Sequence, residues 1–220
     1  MEKLQEVRET ITKEITSDDP EVRSEYLKHF GGQVEKFTNG MAHAFMNWRR
    51  LDAGVNEDVK LAHISALVYG AITLHILSMK LFLSGYPVAS GNLFRQTAES
   101  IALALLCSGR HLGVLEKFIE EKYSANKAIS HVIRHAKHLE LNEDALLALR
   151  KTQEFYHNYS HFSLLTIASF LSLSQEGLYV GPAFDEGKIK PYEKEIIARV
   201  GLAEVFPTFI DAVNANIAKW

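Results

Sequence analysis

The chain holds a single cysteine, Cys107, in 220 residues, so no disulfide forms within it. That thiol sits in the run Ile101-Ala-Leu-Ala-Leu-Leu-Cys107, where a small apolar packing residue is expected and a nucleophile is not. Charge of one sign is also lacking. Lys and Arg number 24 against 27 Asp and Glu, for a net charge of −3. A nucleic-acid partner would therefore have to be met by a local basic patch. No internal repeat, low-complexity tract or linker is present, which reads as one domain over residues 1–220. Motifs for phosphate loops, His-Glu-x-x-His zinc sites, paired cysteines and nucleophile elbows are all missing. Glu-x-x-His occurs once, as Glu154-Phe-Tyr-His157, whereas a di-iron bundle needs a second copy. No cofactor and no metal is expected on these grounds. The first residues, Met1-Glu-Lys-Leu-Gln-Glu, are charged and lack a signal-peptide pattern, giving a cytoplasmic expectation.

Proline and glycine are few, five and 13, and they punctuate an otherwise helical pattern. A peripheral amphipathic helix is predicted over 2–15. Ser17-Asp-Asp-Pro20 predicts a second start, with an Asp cap and proline at the first helical position. That helix extends towards Leu51, with a bend at Gly31-Gly32. Further helices are predicted over about 57–84, stopped by Gly85, over 88–108, over 115–137, from the Asn142 cap to about Leu173, and over 192–218 with a kink or a split at Pro207. The segment 177–190 reads as a loop or small β-hairpin, from which Tyr179 and Phe184 could cover a groove. The fold class is all-α: an up-and-down bundle of six to seven helices, its core formed by helices within about 57–173. Between Lys60 and Lys80 no formal charge occurs, a length sufficient to span a bilayer. The polar His63, Ser65, Tyr69, His75 and Ser78 within it favour a buried bundle helix, with no membrane.

Polar residues on apolar helices carry the functional signal, because a buried ionisable group is costly unless it is paired. Arg95 and Glu99, four apart on one helix, can form an intrahelical ion pair or hold an arginine ready for an anion. Tyr156-His157-Asn158-Tyr159-Ser160-His161 forms a second group. On a continuous helix His157 and His161 share a face with Arg150, and Glu154 lies beside them. Two imidazoles and an arginine can supply a proton acceptor and an anion contact. The third group, His131, His135 and His138, falls on one face. Arg134 and Lys137 beside it suit a solvated or RNA-facing ridge better than a cation site.

This layout, with Arg-x-x-x-Glu on a central helix and an arginine–histidine motif on a later one, resembles the HEPN superfamily over about residues 57–173. Members of that superfamily include metal-independent ribonucleases that act as dimers, with an Arg, four to six residues, then a His. Arg150 and His157 fit the spacing, with Lys151 where Asn, Asp or His is usual; His157-Asn158 and His161 give an alternative register. The resemblance implies Arg150, His157 and His161 as catalytic and Arg95, Glu99, Asn158 and Ser160 as binding residues. It implies RNA as partner, a homodimer, and a defence or toxin–antitoxin role. A non-enzymatic helical interaction module with a protein partner, and a small-ligand or metal-binding bundle, stand as the other readings. A groove lined by Arg150, His157 and His161 would favour the RNA reading. A sealed network of Arg95, Glu99, His157 and His161 would favour the interaction module. Contact between the Arg95–Glu99 pair and the histidine stripe would make one composite site.

Overall fold

The computed structural model describes residues 2–179 and 181–220. Among the described residues there are nine α-helices and no strand: α1 (Glu2–Thr16), α2 (Pro20–Ala53), α3 (Val59–Leu83), α4 (Pro87–Ser108), α5 (Val114–Ile119), α6 (Ala128–Arg134), α7 (Glu143–His157), α8 (Leu164–Phe170) and α9 (Ile189–Ile217). The all-α class is as read from the sequence; the helix count exceeds the expected six to seven because two predicted helices are broken. The stretch read as 115–137 divides into α5, a 3-10 turn and α6. The stretch read as running from Asn142 to Leu173 divides into α7 and α8.

Local chemistry explains most boundaries. Asp58 accepts from the backbone N–H of Lys60 and Leu61 (2.8 and 3.1 Å), and Asn142 from those of Asp144 and Ala145 (2.9 and 3.2 Å). Each satisfies N–H groups that the first helical turn leaves unpaired. Gly85 closes α3 with φ +81°, a conformation glycine adopts without penalty. Asp19 departs from its expected role. It precedes α2 with φ 45° and makes no cap; its Oδ1 accepts from Ser17 Oγ at 2.7 Å instead. The bend expected at Gly31-Gly32 falls one residue earlier, at Phe30 (φ −127°, ψ 16°). Pro207 lies within a continuous α9. The expected hairpin reduces to one antiparallel bridge between Leu171 and Leu178, followed by a 3-10 turn over Glu186–Lys188. Val180 of that segment lies outside the described residues.

Two close pairs organise the core. The three residues between α3 and α4 fold the chain back, and Ser78 and Ser90 then bond each other's carbonyls (3.1 and 2.7 Å) across the seam. In the second pair α2 meets α9. There a Cβ added to Gly40 would lie 2.6 Å from the Ala203 carbonyl oxygen, so glycine is what permits the approach. Tyr26, Phe30, Phe37 and Met41 of α2 and Ile196, Phe206 and Ile210 of α9 are buried with Ile64, Phe82, Phe94 and Leu105 of α3 and α4. The 57–173 stretch supplies most of these buried apolar residues, with α2 and α9 adding a substantial share. The apolar end of that stretch lies outside, with Phe162 at 83 % and Leu164 at 85 % exposure. By length and composition α3 is long and apolar enough to cross a membrane. Ten of its residues, His75 and Ser78 among them, are nevertheless buried against neighbouring elements.

Candidate functional site

Arg95 sits at the centre of a cluster joining α4 to the end of α7. Its Nε donates to Glu99 Oε1 at 2.9 Å, the i, i+4 pair expected from the sequence. Its Nη1 reaches across to His157 Nδ1 at 3.2 Å and Ser160 Oγ at 2.5 Å. Gln153 adds a fourth contact, donating from Nε2 to Glu99 Oε1 at 2.9 Å. The arginine is thus aimed by a carboxylate that is itself steadied from α7. With Nε and Nη1 engaged, Nη2 has no partner among the described residues. Since an arginine N–H can only donate, His157 Nδ1 must accept, which places the ring proton of the neutral imidazole on Nε2.

A break in the helix sets the position of the second histidine. α7 ends at His157, and Ser163 opens α8, its Oγ accepting from the Thr166 N–H at 3.2 Å. Ser163 and Thr166 also donate to the Asn158 carbonyl (2.8 and 3.3 Å), and Thr166 to that of His161 (3.0 Å), so side chains replace the helical partners. His157 and His161 therefore do not share a helix face. The turn still brings their rings together edge to face, with centroids 4.5 Å apart. Both imidazoles and Ser160 are exposed, whereas Glu99 is buried and Arg95 half-buried. The composite site exists, in a form between the two expected ones: a buried acid–arginine base carrying an open rim of imidazoles.

Other candidates lie apart from this centre. Arg150 donates to Glu154 Oε1 at 3.0 Å on the exposed side of α7, and the arginine that reaches His157 is Arg95. Asn158 donates to the Phe155 carbonyl at 3.1 Å, tying up the helix end. In the third group His131 Nδ1 meets the Tyr123 hydroxyl at 2.9 Å, while the His135–His138 and His111–His138 ring centroids lie 6.2 and 6.0 Å apart. Burial, with Arg134 close by, holds His131 below the usual imidazole range. Burial and the neighbouring His138 do the same for His135. Among the described residues no group of three or more ligands is placed to hold a metal ion. Phe184 does not cover this region; it stacks on His29 (4.9 Å) and meets Tyr26 edge-on.

No family model, no curated protein and no solved structure matches this chain.

A second polar network, absent from the sequence reading, lies inside the protein. Arg199 of α9 has no exposed surface. Its Nη1 donates to Glu195 Oε2 (2.7 Å) and the Glu195 carbonyl (2.8 Å), Nη2 to Ser90 Oγ (2.6 Å) and Nε to Ser78 Oγ (3.1 Å). Tyr156 and Tyr159 hydroxyls donate to the other side of the same carboxylate at 2.7 and 3.1 Å. His75 Nε2 meets the Arg199 carbonyl at 3.0 Å, and the guanidinium lies 4.9 and 5.0 Å from the Phe82 and Phe94 rings. Burial raises both tyrosine hydroxyls far above their ordinary pKa, keeping them as neutral donors. The available signal was the same i, i+4 spacing, Glu195 then Arg199, next to apolar Ile196, Val200 and Ala203. This network ties α3, α4, α7 and α9 together directly behind the Arg95 cluster, since Tyr156 and Tyr159 flank His157.

Proposed function

We propose that this chain is a HEPN-like RNA-binding protein of the cytoplasm whose Arg95–His157–His161 cluster cleaves a phosphodiester without a metal ion. The observation that supports it best is Arg95, held by Glu99 and Gln153 and presented beside two exposed imidazoles and a serine. A guanidinium so fixed suits a phosphate, for which it is a directional, permanently charged donor. In this reading Arg95 Nη2 and Ser160 hold the non-bridging oxygens. His161 takes the proton of the ribose 2′-hydroxyl, whose oxygen attacks phosphorus, and its imidazolium passes that proton to the departing 5′-oxygen, while the Nε2–H of neutral His157 donates a hydrogen bond to the phosphorane. The products are a 2′,3′-cyclic phosphate and a 5′-hydroxyl, and no further reactant is consumed. Arg95 takes the part that sequence spacing assigns to Arg150, because among the described residues Arg95 is the arginine that bonds the histidine. We further propose a homodimer in which the exposed Phe162 and Leu164, next to the imidazoles, bring two such rims to one cleft.

The experiment is incubation of labelled single-stranded RNA with the protein in excess EDTA, beside a His157→Ala/His161→Ala double variant and Arg95→Ala. Cyclic-phosphate ends should form with the wild type and fall by about 100-fold or more in the double variant. Arg95→Ala should weaken RNA binding as well as cleavage. Equal activity in wild type and double variant would rule the cluster out as the catalytic centre. Absence of both cleavage and RNA binding would leave the protein-interaction reading, which the exposed Phe162 and Leu164 favour.

A further inference from the structure

A pocket of about 290 Å³ opens between the α7–α8 break and the start of α9. Its walls are largely apolar, formed by Pro87, Phe155, Leu165, Leu173, Pro191 and Tyr192. Among its polar residues are Lys188, Lys194 and Glu195. Lys188 stands out: it is only 7 % exposed, yet among the described residues it has no carboxylate at ion-pair distance. Its Nζ donates to the Ser169 carbonyl at 3.1 Å and lies 5.5 Å from the Tyr179 ring centre. An ammonium carries three N–H donors, so two remain unassigned.

The nearby acids are already occupied. Asp185 accepts from the Leu173 and Gly187 N–H groups at 2.6 and 2.9 Å. Glu195 is shared among Tyr156, Tyr159 and Arg199. Asp185 acts on the Lys188 ammonium through space but forms no ion pair with it, so the N–H donors still open at the pocket are those of Lys188 within and Lys194 at its exposed rim. Burial lowers the Lys188 pKa, and the charge of nearby Asp185 only partly offsets that loss of solvent.

We infer that this pocket binds a medium-chain fatty carboxylate, with its head group on the Lys188 ammonium and its alkyl chain along Phe155, Leu165, Leu173 and Tyr192. Apolar walls with a few convergent polar groups are the usual make-up of a small-molecule site. A single buried cation selects one negative charge. The site uses none of Arg95, His157, Ser160 or His161, so it stands whether or not those residues act on RNA.

The test is calorimetric titration of the full chain with hexanoate, octanoate and decanoate, each below its micelle concentration, and with decanol as the uncharged analogue. Affinity should rise about fourfold per added methylene, the increment for burying one CH₂. Decanol should bind about tenfold or more weaker than decanoate, reflecting the lost charge-assisted hydrogen bond. Lys188→Met, which keeps the aliphatic stem, should lower decanoate affinity by about the same factor and leave decanol binding intact. If that variant loses its fold, Ala168→Trp takes its place: it fills the pocket from an exposed position and should abolish decanoate binding without lowering the melting temperature. The inference is overturned by any of three results: no decanoate binding at millimolar concentration, affinity independent of chain length, or decanol bound as tightly as decanoate.

Discussion

Replacing Arg199 with methionine removes a guanidinium that has no exposed surface while keeping much of its length in the core. Four hydrogen bonds go with it, to Ser78, Ser90 and two oxygens of Glu195. The serines lose little, because each still donates to the other's carbonyl. Glu195 loses its counter-charge and keeps only the Tyr156 and Tyr159 hydroxyls, at a site that is 7 % exposed. Breaking a buried ion pair by deleting one partner costs about 3–5 kcal/mol, chiefly through the charge left behind. Against a typical stability of roughly 5–15 kcal/mol, that is a large fraction of the whole. If the stranded carboxylate is the main cost, Arg199→Met/Glu195→Gln should be more stable than Arg199→Met alone, since an amide can still accept from the tyrosines. Urea unfolding followed by circular dichroism would measure both variants. A loss under about 1 kcal/mol for the single variant, or simple additivity in the double one, would refute the reasoning, because contacting residues in one network should couple by roughly 0.5–3 kcal/mol.

Two further outcomes follow from the interior. Burial holds the His75 pKa down to about 3 from an ordinary 6.5, so as pH falls between those values the unfolded chain gains a proton that the folded chain refuses. Stability from this group is complete above 6.5 and declines on acidification, by up to about 1.4 kcal/mol per pH unit. His75→Gln should remove that share of the slope in unfolding experiments run across the window, and equal slopes would contradict the assignment. Gly40→Ala should destabilise by about 1–3 kcal/mol, because the new methyl meets the Ala203 backbone. Gly201→Ala on the open face of α9 should instead stabilise by up to ~1 kcal/mol through helix propensity. Melting temperatures shifting in the same direction in both variants would count against this account of the α2–α9 contact.

Most helix limits were legible because they are set by short-range chemistry. Asn142, Pro20 and Gly85 act on backbone groups within one turn, which a linear reading can reach. The Arg95–Glu99 pair was legible for the same reason. Its contact with His157 and Ser160 crosses more than 60 residues of sequence, a distance that helical spacing does not reach. The α7–α8 break was not legible. The apolar spacing of Phe162, Leu164, Leu165 and Ile167 suits a buried helix, while Ser163 and Thr166 offer the backbone alternative partners that periodicity does not register. Glu195 and Arg199, an i, i+4 ion pair amid lysines and glutamates, have the pattern of a solvated helix face. What buries it is the packing of α9 against three other helices.

The α2–α9 contact also has a bearing on biosynthesis. Tyr26, Phe30, Phe37 and Met41 emerge early from a ribosome, yet the surface that shields them includes Ile196, Phe206 and Ile210, which are translated 155 to 184 residues later. Until then the apolar stripe of α2 has only α3 as a partner, and the interior arginine that joins four helices has not been made. Closure of the core is therefore tied to the late stage of translation, and a nascent chain stalled before α9 presents a sticky α2 to chaperones and to other chains.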